Sequence, residues 1–153
     1  MCLLRDSHYM GKNKTLVIVS GYFNPIHEGH LEYLNRSKAL GDFLYVIVNN
    51  DLQRELKGSK PFLTENQRRI ILKNIKAVDE VIISIDKNKF VDKTIELIYR
   101  EEAHKYDKIL FTNGGDQTTQ TVGETAICQK LGIEIVCGLG DKIQSSSSLL
   151  NKI

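Results

Sequence analysis

Five short apolar runs constrain the fold of this chain more than any other feature. They are "LVIVS" (16–20), "FLYVIV" (43–48), "EVIIS" (80–84), "KILFT" (108–112) and "IEIVC" (133–137). Each is nearly continuous rather than alternating, the pattern of a strand covered on both faces in a parallel sheet. Helical patterns fill the gaps. "HLEYLNRSKAL" spaces Leu31, Leu34, Ser37 and Leu40 by threes and stops at Gly41. "TENQRRIILKNIKAV" opens with Thr64 and Gln67 in a capping-box arrangement, and Ile71, Leu72, Ile75 and Val78 share a face. "FVDKTIELIYREEA" aligns Val91, Ile95 and Ile98, and "GETAICQKLG" forms a shorter helix ending at Gly132. The strict β-α alternation, without repeat or linker, predicts an α/β protein: one Rossmann-like doubly wound domain with a five-stranded parallel sheet.

The bulk numbers agree with one domain and exclude several function classes. The chain has 153 residues, 41% hydrophobic and 26% charged, enough for a substantial core. A net charge of +2 argues against a dedicated nucleic-acid binder. Cys2, Cys128 and Cys137 form no Cys-x-x-Cys pair, which fits a reducing cytoplasm. "MCLLRDSHYM" lacks the apolar stretch of a signal peptide, and no run suits a membrane span. A cytoplasmic protein without a membrane partner is expected. Residues 1–13 read as a lead-in to a domain covering 14–153, with Met10 as a candidate natural start.

Open parallel sheets bind ligands beyond the carboxyl ends of their strands. That rule selects the loops at 21–30, 49–61, 113–118 and 138–148, where nearly every unusual residue lies. "GYFNPIHEGH" (21–30) carries His27 and His30 three apart. A zinc site is disfavoured: the spacing is not that of a zincin, and no further cluster completes a tetrahedral set. Two readings remain, local hydrogen bonding and phosphate binding. The second draws support from the helix that starts near Gly29, because a helix start offers amide donors and a positive dipole end.

With its neighbours, this stretch resembles the small nucleotidyltransferases of the cytidylyltransferase-like superfamily that carry a His-x-Gly-His motif. "GYFNPIHEGHL", "VNNDLQRELKG", "ENQRRIIL", "VDEVI", "NGGD" and a late serine cluster follow in that family's order, from about residue 16 to 150. The resemblance implies transfer of a nucleotidyl group from ATP or CTP to a phosphorylated small molecule, with release of pyrophosphate and with Mg2+ accompanying the triphosphate. It implies that His27, His30 and Lys57 are catalytic, with Lys60 a weaker candidate. Gly21, Tyr22, Phe23, Asn24, Gly29, Gly115, Asp116, Ser145, Ser146 and Ser147 would contact the nucleotide. Arg68 and Asp51 would face the acceptor. No protein-bound metal site is expected, and relatives suggest a homodimer.

Two departures bear on the substrate. Asn24 stands where an aspartate is common, and Gly140 stands where glycerol-3-phosphate cytidylyltransferases have an arginine. "NNDLQRELKG" and "NGGD" look more like the heptose-1-phosphate adenylyltransferases, so ATP is favoured, with a sugar 1-phosphate or polyol phosphate as acceptor. The alternatives are a CTP-specific enzyme making a CDP-alcohol, a non-catalytic nucleotide sensor and, more remotely, a nicotinamide-nucleotide adenylyltransferase.

Overall fold

A computed structural model describes residues 14–114 and 123–139. Five parallel strands are found among them: β1 (Thr15–Gly21), β2 (Phe43–Val48), β3 (Glu80–Ile83), β4 (Lys108–Gly114) and β5 (Glu134–Leu139). They form one sheet in the order β3-β2-β1-β4-β5. Helices α1 (Glu28–Lys38), α2 (Asp51–Lys57), α3 (Glu65–Lys73), α4 (Asp92–Glu102) and α5 (Thr125–Leu131) connect them. The Rossmann-like α/β expectation holds, and β1, at the centre, pairs in register with β2 from Leu16 opposite Phe43 to Gly21 opposite Val48.

The apolar runs explain the layers. Successive side chains in a strand face opposite ways, so β1 sends Leu16 and Ile18 to one face and Val17 and Val19 to the other, all with no exposure. The first face packs against Val91, Ile95 and Ile98 near and within α4 and Cys128 of α5. The second packs against Leu34 of α1 and Leu72 of α3. The α4 stripe is buried as its spacing implies. On α1 only Leu34 and Ser37 of the expected stripe are buried, while Leu31 and Leu40 are exposed. Spacing by threes drifts around a helix of 3.6 residues per turn, so its outer members leave the sheet. On α3, Ile71 is likewise exposed.

Helix α2 is absent from the periodicity reading, which treats 49–61 as a loop. Its buried residues are Gln53 and Arg54, and Leu52 and Leu56 are exposed. Among the described residues no helix is long and apolar enough to cross a membrane.

Candidate active site at the carboxyl edge of the sheet

The chain leaving β1 makes a tight loop before α1. Phe23 has φ of 52°, a left-handed conformation uncommon for a side chain of that size, and its ring is buried. A Cβ on Gly21 would stand 2.9 Å from two atoms of that ring, so glycine is what lets the ring fold back. Asn24 is buried and clamps the loop from the other side. Its amide donates to Lys60 O (2.9 Å) and its oxygen accepts from Leu63 N–H (2.9 Å). The side chain expected to touch nucleotide thus pins the 60–63 segment.

His27 is the N-cap of α1. Its Nδ1 accepts from Gly29 N–H (3.1 Å), and His30 Nδ1 accepts from His27 N–H (3.2 Å). A ring nitrogen that accepts carries no proton, so each neutral imidazole holds its proton on Nε2. The rings stack with centroids 3.9 Å apart, and Phe23 meets His30 edge-on at 4.9 Å. Burial, then the neighbouring His27 and Lys57, push the His30 pKa down to about 3. Burial lowers that of His27. His27 Nε2 is buried and has no partner among the described residues. The expectation of open amide donors at this helix start needs amendment. Gly29 N–H is taken by His27, and His30 N–H bonds His27 O (3.0 Å). A donor left unpaired here is the Nε2–H of His27.

Lys57 is the last residue of α2 and not, as expected, part of a loop; Gly58, at φ 82°, closes the helix. Its ammonium lies 4.3 Å from the centroid of the Tyr22 ring, a cation–π contact. Burial lowers its pKa. The Tyr22 hydroxyl donates to Gln53 O (3.4 Å). One end of the lysine's environment is therefore the histidine loop and the other is α2.

Arg68, expected at the acceptor, is wholly enclosed. Burial pulls its pKa down, against the hydrogen bond and charge of Asp51. Its bond to Asp51 measures 2.9 Å, and Asp51 N–H donates to Glu65 (2.8 Å). The structure brings Gly21, Tyr22, Phe23, Asn24, His27, Gly29 and His30 together over the end of β1, the loop after it and the first turn of α1, with Asp51, Lys57 and Arg68 on the helices beside them. Gly115, Asp116, Ser145, Ser146 and Ser147 lie outside the described residues.

Residues that the motif reading missed hold the site's floor. Asn50 caps α2, accepting from Gln53 N–H (2.8 Å) and donating to Ser84 O and Asp86 O. The buried Gln53 accepts from the Asn49 side-chain amide and from Asn50 N–H, and donates to Asn88 O and Phe90 O. "NDLQ" is a capping box like "TENQ", and that signal would have found both the helix and its cap.

Comparison with known proteins agrees with this geometry. The family model described as cytidylyltransferase-like matches residues 18–137. The chain is 30% identical over 149 residues to the bifunctional protein HldE of Syntrophotalea carbinolica, covering 93% of this chain and 27% of that protein's length. It is 30% identical over 141 residues to the FAD synthase of Picrophilus torridus, covering 90% and 94%. The crystal structure of a lipopolysaccharide core biosynthesis protein from Thermoplasma volcanium superposes with a TM-score of 0.64 at 27% identity, covering 82% of this chain and 97% of that one. With a matched core that runs from the first strand to the last and the His-x-Gly-His loop at its head, the chain belongs to the cytidylyltransferase-like family of nucleotidyltransferases.

Proposed function

We propose that the protein transfers AMP from ATP to the phosphate of a small-molecule acceptor and releases pyrophosphate. The observation that carries the reading is the stacked His27–His30 pair, both rings neutral with their protons on Nε2. An acceptor phosphate oxygen attacks the α-phosphorus, and a new O–P bond forms as the bond to the bridging oxygen breaks. The electron pair leaves with pyrophosphate. The nucleophile is already ionised, so the enzyme needs no general base and instead has to stabilise charge on the phosphoryl oxygens. Neutral N–H donors held at fixed geometry suit that task, and a histidine with its proton on Nε2 cannot accept one there. A phosphate oxygen is the natural partner for the buried, unpaired His27 Nε2, because an unmet buried donor costs about 1–3 kcal/mol. Lys57 adds a full positive charge on the same side.

Gly21, Phe23 and Gly29 shape this loop for the nucleotide. Gly115, Asp116, Ser145, Ser146 and Ser147 complete the binding side in this reading, supported by the family's motif order. Among the described residues no group of three or more His, Cys, Asp or Glu side chains could hold a metal ion. Mg2+ would accompany the triphosphate, whose own oxygens can hold it. ATP is preferred over CTP because the name FAD synthase describes making an adenine dinucleotide, and that relative matches nearly end to end. For the acceptor, sugar 1-phosphates and polyol phosphates are joined by flavin mononucleotide on the same ground.

The test is pyrophosphate release with Mg2+, crossing ATP and CTP against sugar 1-phosphates, polyol phosphates and flavin mononucleotide. Turnover with ATP and one acceptor is the expected result. Turnover only with CTP would replace the adenylyl donor, and nucleotide binding without any turnover would favour a sensor.

A further inference from the structure

Arg68 lies in the first turn of α3 with no exposure, and its donors reach four residues on three stretches of chain. Nε donates to Leu63 O (3.2 Å), just before α3. Nη1 donates to Tyr22 O (2.8 Å), on the histidine loop, and to Asn49 O (2.6 Å), at the end of β2. Nη2 donates to Asp51 Oδ1 (2.9 Å), at the start of α2. A planar guanidinium is the side chain that supplies so many donors in a fixed fork. Lys57 lies at the far end of the helix that Asp51 opens. His27 and His30 lie on the loop that Tyr22 opens.

We infer that Arg68, with Asp51 as its counter-ion, is a positioning residue that fixes the histidine loop against the Lys57 helix, rather than a contact for the acceptor's phosphate. Four of its five N–H bonds are already engaged with the protein. The one N–H left over sits on a side chain with no exposure, and a two-point grip on a phosphate would break contacts that hold the cleft's two sides in register. Lysine at this position would keep the charge and lose the fork, so the carbonyls of Tyr22, Asn49 and Leu63 could not all be served. Catalysis by positioning is sensitive to such slippage, since displacement by about 1 Å can cost about 100-fold.

This inference rests on the nucleotidyl-transfer reading for its kinetic arm, so the test has an arm that does not. Arg68→Lys and Asp51→Asn would be compared with the wild type, the second serving if the first does not fold. In the kinetic arm, kcat per folded molecule should fall by about 10- to 100-fold with the acceptor KM changed less than about twofold. A rise of about tenfold in acceptor KM at unchanged kcat would mean direct contact and overturn the inference. In the second arm, the imidazole nitrogen NMR signals of His27 and His30 are recorded without ligand. Shifted signals in the variants support the strut. Signals identical to the wild type, or a lowered Tm with kcat intact, overturn it. If the wild type turns over no acceptor, the functional reading fails while the NMR arm still decides this one.

Discussion

The two histidines divide one task between hydrogen-bond geometry and burial. Their Nδ1 atoms are spent on backbone N–H groups, which turns the Nε2–H groups into the usable ends. Replacing His30 with alanine should lower kcat about 100- to 1,000-fold, the usual loss when one such donor is removed, with a stability loss of about 1 kcal/mol from the lost cap bond to His27 N–H. Near-normal turnover would falsify the catalytic assignment. Asn24 yields a second expectation. The amide donates to Lys60 O while accepting from Leu63 N–H, which an ionised carboxylate cannot do, so Asn24→Asp sets a carboxylate against a carbonyl. The cost should be about 1–3 kcal/mol in chemical denaturation. A variant as stable as the wild type would show that the 60–63 segment is held by other means. The sequence could flag Asn24 as a departure from the common aspartate; the reason for it lies 36 residues away.

At the scale of elements, legibility followed apolar burial. The five strands could be read because their apolar runs are nearly continuous, wholly buried along much of β1 and β2 and only partly so in the edge strands β3 and β5, and α4 because Val91, Ile95 and Ile98 all reach the core. Helix α2 could not be read by periodicity, since it buries Gln53 and Arg54 and exposes its leucines. What holds it is polar, and polar partners carry no period. The start of α4 shows the same logic. Its N-cap Val91 supplies no side-chain bond, and Asp86 serves instead, accepting from Lys93 N–H (2.8 Å), Thr94 N–H (3.0 Å) and the Thr94 hydroxyl (2.5 Å). A buried carboxylate at a helix start gains from the dipole as well. Asp86→Ala should cost about 1–3 kcal/mol by thermal melting, and an unchanged Tm would argue that water replaces the carboxylate. In the site itself, the motif residues were legible by type and order. The enclosed position of Arg68 was not, because a charged residue near a helix start looks alike whether it points inward or outward.

For the whole molecule, the depressed histidine pKa becomes a stability statement. The unfolded chain titrates His30 near 6.5, while the folded chain holds it neutral to about 3. Between those values the unfolded state binds more protons, so this group's contribution is undiminished above about 6.5 and is eroded as the pH falls toward 3. Glu124 and Asp92 act in the opposite direction, because burial raises their folded pKa values. The histidine contribution is isolated by comparing His30→Gln with the wild type. The variant should gain stability relative to the wild type between about pH 7 and about pH 5. A difference that stays constant with pH would mean that His30 titrates normally in the fold.

The central place of β1 has one more consequence. Flanked by β2 and β4 and covered on both faces, it is the strand with the least freedom to fray, and amides such as those of Val17 to Val19 should exchange with deuterium only through global unfolding. The histidine loop grows directly from its end. Thermal breathing that loosens the sheet's margins would reach the candidate site last, so damage to those margins should appear as a partial loss of protection long before it appears as a loss of rate.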